Sequence, residues 1–123
     1  MAGEIKSFKD LIAWQKGHGL VLLTYKLTDL FPEKEVFALS NQMRRAVVSI
    51  TSNIAEGFCR QSAKEKIHFY YIAMGSNTEL QNQLFIAKDL EYLNQDGFDR
   101  ASLLSVEVEK LLHGLIKSQK LIA

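Results

Sequence analysis

Residues 42–57 have the sequence QMRRAVVSITSNIAEG and carry two stripes of side chains at helical spacing. One stripe is apolar, with steps of four, three and four residues: Met43, Val47, Ile50 and Ile54. The second stripe lies beside it and combines small and polar side chains: Gln42, Ala46, Ser49, Asn53 and Glu56. This spacing predicts an α-helix whose apolar stripe fills a core. The small side chains would let a neighbouring helix approach closely, and the polar groups would fix the register of that contact.

The composition is that of a soluble globular protein, and we expect a single domain over residues 1–123. Apolar residues make up 47% of the chain and charged residues 24%, so disorder is not indicated. The formal net charge is +1, so any attraction to nucleic acid must be local. The single Cys59 cannot form an intrachain disulfide, which favours a reducing cytoplasm. No apolar run suits a signal peptide or a membrane span, so we expect no membrane association.

Periodicity and helix-breaking residues predict four helices, over residues 10–31, from between 33 and 40 to about 57 or 58, over 62–93 and over 99–121. Pro32 should stop the first helix, and Gly57 is a candidate terminating residue for the second. At the start of the third helix, Ser62 and Glu65 have the spacing of a capping box. Residues 94–97, Asn-Gln-Asp-Gly, are predicted to form a turn. Helices of this length with short connections predict an all-α fold, an antiparallel up-down-up-down four-helix bundle.

One motif is of the kind that holds metal ions in four-helix-bundle enzymes. Glu65 and His68 have the Glu-x-x-His spacing, but Glu109 and His113 are four residues apart and do not repeat it. Capping of a helix by Glu65 is the simpler explanation. No phosphate-binding loop or catalytic triad is recognisable either. We therefore predict no metal site, no cofactor, no catalytic residue and no enzymatic activity.

Positive charge is concentrated between Gln42 and Lys66, where five cations and two anions give +3 and leave −2 for the rest of the chain. The five cations are Arg44, Arg45, Arg60, Lys64 and Lys66. Arginine can fork to phosphate, so the cluster could bind a polyanion. The alternative is that these residues form ordinary surface ion pairs. We expect Glu56 and Glu79 to pair with Arg44 or Arg45, with general acid or base work as the competing interpretation.

Several short motifs follow one another in a specific order: Asp10-Leu11, Trp14-Gln15-Lys16, Phe31-Pro32, Gln42, Arg44-Arg45-Ala46, Ser49-Ile50, Asn53-Ile54-Ala55-Glu56-Gly57, Arg60, Ser62, Glu65, Gly75-Ser76 and Glu79-Leu80. This order resembles the bacterial four-helix-bundle proteins first noticed as open reading frames inside intervening sequences of 23S ribosomal RNA genes. The resemblance covers nearly the whole chain. Ala38, Gly17 and Cys59 depart from the family's usual Gly, Ala and Gly. Cys59 matters most, because a residue with a Cβ resists positive φ in the turn expected there.

The resemblance implies a left-handed antiparallel four-helix bundle that assembles as a homopentameric, barrel-like ring. Some members are similar to accessory proteins of diversity-generating retroelements, which bind nucleic acid and a reverse transcriptase, while most have no established biochemical activity. The residues that the resemblance implies for fold or assembly are Trp14, Gln42, Arg45, Asn53, Glu56, Gly57 and Glu79. The candidates for phosphate contact are Arg44, Arg60, Lys64 and Lys66.

Two functions are open on the sequence. The first is a non-enzymatic oligomeric scaffold that binds structured RNA, DNA or another polyanion through the basic surface around the second helix and the turn after it. The second is a protein-interaction module that recruits a nucleic-acid enzyme through exposed aromatic residues such as Trp14 or Tyr71, without touching nucleic acid itself. A third hypothesis, a metalloenzyme, would require bound iron or manganese.

Overall fold

A computed structural model describes residues 3–122, and this part of the chain contains helices and no strand. The α-helices are α1 (Ile12–Thr28), α2 (Leu39–Cys59), α3 (Ala63–Asp89) and α4 (Gln95–Ile122). Short 3-10 helices at Phe8–Asp10 and Glu33–Glu35 precede α1 and α2. The predicted all-α fold is confirmed. No helix in the described part of the chain combines the length and the apolar character that a membrane span requires.

The four helices form a closed bundle in which each one packs against two neighbours. α2 packs against α1 and α3, and α4 packs against α3 and α1. Contacts join the end of each helix to the start of the next: Asp29 with Arg44, Gly57 with Tyr70, and Lys88 with Phe98. Consecutive helices are therefore antiparallel, which gives the predicted up-down-up-down order.

The apolar stripe of α2 lies at the centre of the core. Met43, Val47, Ile50 and Ile54 are all fully buried, as the sequence predicts. The other helices contribute further large buried side chains: Leu20, Tyr70, Leu80, Leu84, Val108 and Leu112. Burying one such side chain contributes about 1.5–3 kcal/mol relative to leaving it in water. On α4, Leu104 packs partly against this core while Leu103 is exposed, which decides between the two candidates for that position.

The first helix is shorter than predicted at its C-terminal end. α1 ends at Thr28, because Leu30 and Phe31 donate their backbone N–H groups to Leu27 and Thr28 three residues back instead of four. Proline disfavours the helical conformation in the residue before it, so these last residues tighten into turns. Pro32 then precedes the 3-10 helix that leads into α2.

The connection between α3 and α4 differs from the prediction. Residues 94–97 are not a turn: Asn94 accepts a hydrogen bond from the Gly97 N–H (2.8 Å), and α4 already begins at Gln95. An asparagine side chain can cap a helix as readily as it forms a turn, which explains the error. The chain reverses instead after Asp89, at Glu91, whose φ of 65° lies in the left-handed region.

Gly57 does not terminate its helix, contrary to the prediction. α2 continues to Cys59, and within residues 3–122 no glycine has a positive φ. A Cβ added to Gly57 would lie 2.7 Å from Tyr70 Cε1 and 3.1 Å from Phe69 Cβ. This glycine therefore lets α2 and α3 approach closely, and the turn after Cys59 requires no positive φ.

A pair of glycine substitutions tests this role. Gly57→Ala should lower the free energy of unfolding by about 1–3 kcal/mol, because the buried Tyr70 ring or α3 must move. Gly75→Ala is the matched control, since nothing lies within 4 Å of its Cβ, and it should stabilise the protein by up to about 1 kcal/mol through helix propensity. Denaturant unfolding monitored by circular dichroism measures both. Equal effects of the two substitutions would contradict the close approach.

Candidate nucleic-acid and assembly surfaces

The four residues proposed for phosphate contact do not form one cluster. Arg44 lies near the start of α2 and Arg60 follows its end, so about 24 Å of helix axis separates them at 1.5 Å per residue. Arg60, Lys64 and Lys66 lie together around the turn between α2 and α3. The structure therefore separates Arg44 from the other three candidates.

Arg44 makes several contacts within the protein through its Nε and Nη2 atoms and its guanidinium face. Its Nη2 lies 2.7 Å from Asp29 Oδ1, and its Nε donates to Thr28 Oγ1 at 2.9 Å. The guanidinium also lies 4.6 Å from the centroid of the Tyr25 ring. These contacts attach α2 to the end of α1.

Arg60 and Lys66 are also partly engaged. Arg60 Nη2 lies 3.6 Å from Glu56 Oε1, and its guanidinium stacks 4.7 Å from the Phe69 ring centroid. Lys66 Nζ donates to the carbonyl oxygen of Phe58 at 2.6 Å, one of the free carbonyls at the end of α2. Lys64 differs from both, because its side chain is exposed and no ion pair engages it within residues 3–122.

The bundle carries opposite charges at its two ends. We define the basic end as residues 3–11, 56–70 and 113–122, which the antiparallel topology brings together. It holds seven cations and four carboxylates: Lys6, Lys9, Arg60, Lys64, Lys66, Lys117 and Lys120 against Glu4, Asp10, Glu56 and Glu65. The acidic end, residues 26–44 and 86–100, holds five cations and seven carboxylates. This surface is not evident from the sequence, because its three segments are far apart in the chain.

The second stripe of α2 packs against α3 of the same chain. Ala46 is buried, and Ser49 Oγ lies 2.7 Å from Ser76 Oγ across the helix contact. Asn53 Nδ2 donates to the carbonyl oxygen of Ser49 at 2.8 Å and so stays on the stripe. The close neighbour that the sequence predicted is therefore α3, and the polar pair joins the two helices.

An open polar groove follows the outer edge of this contact. It is lined by Gln42, Arg45, Ala46, Ser49, Ser76 and Glu79, which include three of the residues proposed for fold or assembly. The Glu79 carboxylate accepts a hydrogen bond from Gln83 Nε2 at 3.2 Å. Within residues 3–122 no carboxylate lies within ion-pair distance of Arg45. The predicted pairing of Glu56 and Glu79 with Arg44 or Arg45 is wrong, because Glu56 faces Arg60 and Arg44 faces Asp29.

Trp14 is a packing residue in this structure. It is half-buried against the core, stacks on His18 at 4.8 Å between ring centroids, and meets the edge of Phe8 at 5.4 Å. These contacts hold the N-terminal 3-10 helix against α1, so an exposed recruiting role for Trp14 is not what its surroundings suggest. Tyr71 is exposed, and its hydroxyl accepts a hydrogen bond from Lys120 Nζ at 2.9 Å.

A buried polar network that the helical periodicity did not predict joins α3 to α4. Asn77 is fully buried, donates to the carbonyl oxygen of Ser105 at 2.9 Å and accepts from Ser105 Oγ at 2.7 Å. Gln81 extends the network to Ser105 Oγ and to Glu109. A signal was present, because Asn77 interrupts the apolar set of Ala73 and Leu80 at helical spacing.

Residue Glu65 lies at the start of α3, next to the Ser62 side chain. Ser62 Oγ accepts the backbone N–H of Glu65 at 3.1 Å and donates its own proton to the Glu65 carboxylate. Among the described residues, no three His, Cys, Asp or Glu side chains come together as metal ligands. The structure accounts for Glu65 through its contact with the capping serine.

These features define a class of protein: an all-α four-helix bundle with a polar interhelical groove and oppositely charged ends. The chain belongs to the 23S rRNA-intervening sequence protein family, whose sequence profile matches residues 9–114. Its structure is similar to that of a protein of unknown function from the S23 ribosomal protein family of Bacteroides thetaiotaomicron VPI-5482. The two share 28% identity and a TM-score of 0.81 over 89% of this chain and 98% of that one. No curated protein matches the sequence significantly.

The contacts of Lys66 and Lys64 predict different effects of removing each charge. Lys66→Gln should lower the free energy of unfolding by about 0.5–1.5 kcal/mol, because the ammonium caps the carbonyl end of α2. Lys64→Gln should leave stability within about 0.5 kcal/mol of the wild type. Thermal and denaturant unfolding of the two variants measures the difference. An unchanged Lys66→Gln protein would contradict the capping contact.

Proposed function

We propose that this protein is a non-enzymatic, oligomeric helical scaffold of the cytoplasm that binds RNA or another polyanion through its basic end. The observation that supports this proposal is the excess of seven cations over four carboxylates at that end. Lys64 and Lys117 contribute exposed ammonium groups there, and Arg60, Lys66 and Lys120 add charge although they also make contacts within the protein. The binding surface thus differs from the one expected along α2, since Arg44 takes no part in it.

The physical basis of binding would be release of counterions from the phosphate backbone. Lysine acts on phosphate as a point charge, without reading bases, so the affinity should depend on shape and salt more than on sequence. The opposite sign of the acidic end would orient the bundle, because a polyanion attracts one end and repels the other. Structured RNA fits this description, and so does any ligand with closely spaced phosphates.

Assembly into an oligomer would strengthen the positive electrostatic field of the basic end. The family resemblance implies a homopentameric ring, in which five basic ends would face the same side and present one large positive surface. The polar groove of α2 and α3 is our candidate for the ring contact. Each copy in a closed ring contacts its two neighbours through two different surfaces, and the groove lined by Arg45 and Glu79 would be one of the two.

The salt dependence of RNA binding tests the polyanion proposal. The log of the affinity for a labelled structured RNA should fall linearly with the log of the salt concentration, and Lys64→Gln/Lys117→Gln should flatten that slope by roughly 0.7–0.9 for each lost contact. Lys34→Gln/Lys110→Gln removes the same charge away from the basic end and should leave the slope unchanged. Fluorescence anisotropy across a salt titration gives both slopes. Equal slopes for the two variants would contradict the assignment of RNA binding to the basic end.

A separate experiment tests the ring. Arg45→Glu should reduce the native mass about fivefold, because it places like charges in the groove that we assign to the ring contact. Lys34→Glu makes the same charge change outside the groove and should not alter the mass. Sedimentation velocity on the full chain is the measurement. An unchanged mass for Arg45→Glu would place the ring contact elsewhere.

A second candidate function is protein recruitment without nucleic-acid contact, with a nucleic-acid enzyme as the partner. The engagement of Arg44, Arg60 and Lys66 by groups of the same chain favours it, because those guanidinium and ammonium groups are less available to phosphate. Tyr71, exposed beside Ile72, would then be part of the recruiting surface. Absence of RNA binding even at low salt, with assembly intact, would select this candidate.

A further inference from the structure

The outer groove between α1 and α4 contains two apolar pockets with charges of opposite sign. The upper pocket, which is the one nearer the acidic end, is formed by Leu22, Leu23, Leu30 and Leu104. Its charged lining residues are the cations Lys26 and Arg100. The lower pocket is formed by Ile5, Ile12, Leu111 and Leu115, and its charged lining residues are the carboxylates Glu4 and Asp10. Within residues 3–122 none of these four charged groups forms an ion pair.

Both pockets expose large apolar side chains on one face. Leu30 is 80% exposed, Ile12 58% and Leu22 54%, all on α1 or directly after it. Large apolar side chains exposed in neighbouring pockets are a common feature of protein–protein contacts. The groove lies on the opposite side of the bundle from the polar groove of α2 and α3.

The spacing of the two pockets suits a two-fold axis. Ile12 and Lys26 are separated by about 21 Å along α1, and Gly19 lies midway between them. Between the pockets, the ion pair of Lys16 with Glu107 (3.3 Å) joins α1 to α4. Gly19 has no side chain, and a Cβ there would meet nothing closer than Leu104 at 3.8 Å. Two copies of α1 could therefore cross closely at this residue.

We infer that the α1–α4 groove pairs with the same groove of a second copy of this chain, antiparallel, about a two-fold axis at Gly19. In this contact the upper pocket of each copy covers the lower pocket of the other, as an isologous interface requires. Leucines meet isoleucines and leucines, while Lys26 and Arg100 face Glu4 and Asp10. A parallel pairing would instead oppose like charges at both pockets.

The chemistry of Asp10 supports the charge pattern. Its carboxylate accepts the backbone N–H groups of Lys6 and Ser7 at 2.9 and 3.0 Å, which lowers the pKa of Asp10 below its usual value. It is therefore an anion at neutral pH. The inference does not depend on polyanion binding, because neither Lys64 nor Lys117 lines either pocket.

Charge reversal and its compensation form the first test. Lys26→Glu alone and Glu4→Lys alone should each raise the dissociation constant of the two-fold contact by about tenfold, and the double variant should recover most of the loss. At concentrations where the wild type is paired, each single variant should shift towards half the native mass. Lys110→Glu, exposed on α4 outside both pockets, is the matched control. Sedimentation equilibrium on the full chain measures all four proteins, with circular dichroism to verify equal helicity.

Cross-linking at the axis is the second test, and it does not depend on charge. Gly19→Cys in a Cys59→Ser background should form a disulfide between two copies under mild oxidation, because the two α1 helices cross there. Lys110→Cys in the same background should remain uncross-linked. A twofold change in mass belongs to this contact and a fivefold change to the ring, so the two proposals fail separately. The inference would be overturned if the single variants kept the native mass of the wild type and no cross-link formed at position 19. It would also be overturned if the groove bound only a different protein and not a second copy of this chain.

Discussion

α2 and α3 approach each other closely because small side chains line both sides of their contact. Gly57 leaves room for the Tyr70 ring, and the hydroxyls of Ser49 and Ser76 meet at 2.7 Å. This proximity lets Arg60–Ser62 alone connect the two helices. It also fixes where α1 and α4 must lie, since each closes the bundle against one of the central pair. The polar groove and the basic turn are consequences of the same contact, because both lie along its edges.

The charge distribution follows from the topology and not from the local sequence. Antiparallel helices bring the N-terminal segment, the turn between α2 and α3, and the end of α4 to one end of the molecule. The N-terminal segment is neutral by itself and the other two segments are only mildly basic, while the acidic end carries two more carboxylates than cations. The net charge of +1 is therefore unevenly distributed, because one end of the bundle is positive and the other end is negative. Such polarity affects the approach and orientation of a charged partner more than the strength of any single contact.

Periodicity predicted the core of α2 correctly, because Met43, Val47, Ile50 and Ile54 depend only on the spacing of one helix. Predictions that depended on a second element were less successful. The end of α1 is set by hydrogen bonds that tighten before Pro32, and Asn94 caps a helix where its sequence context also suits a turn. The partners of Arg44 and Glu56 depend on how the helices rotate about their axes. The candidates for phosphate contact share a segment of the sequence. The length of α2 nevertheless separates Arg44 from the other three.

The network around Asn77 could not be predicted from the sequence for a similar reason, since Asn77 makes its hydrogen bonds with a partner 28 residues away in the chain. Replacing Ser105 by an apolar residue would leave the buried Oδ1 of Asn77 without its donor, whereas replacing Asn77 would leave Ser105 Oγ with Gln81 as its side-chain partner. The contributions of Asn77 and Ser105 to stability therefore depend on each other. Because their polar atoms must meet at hydrogen-bond distance, Asn77, Gln81 and Ser105 hold α3 and α4 in one register, which apolar side chains alone would specify less strictly.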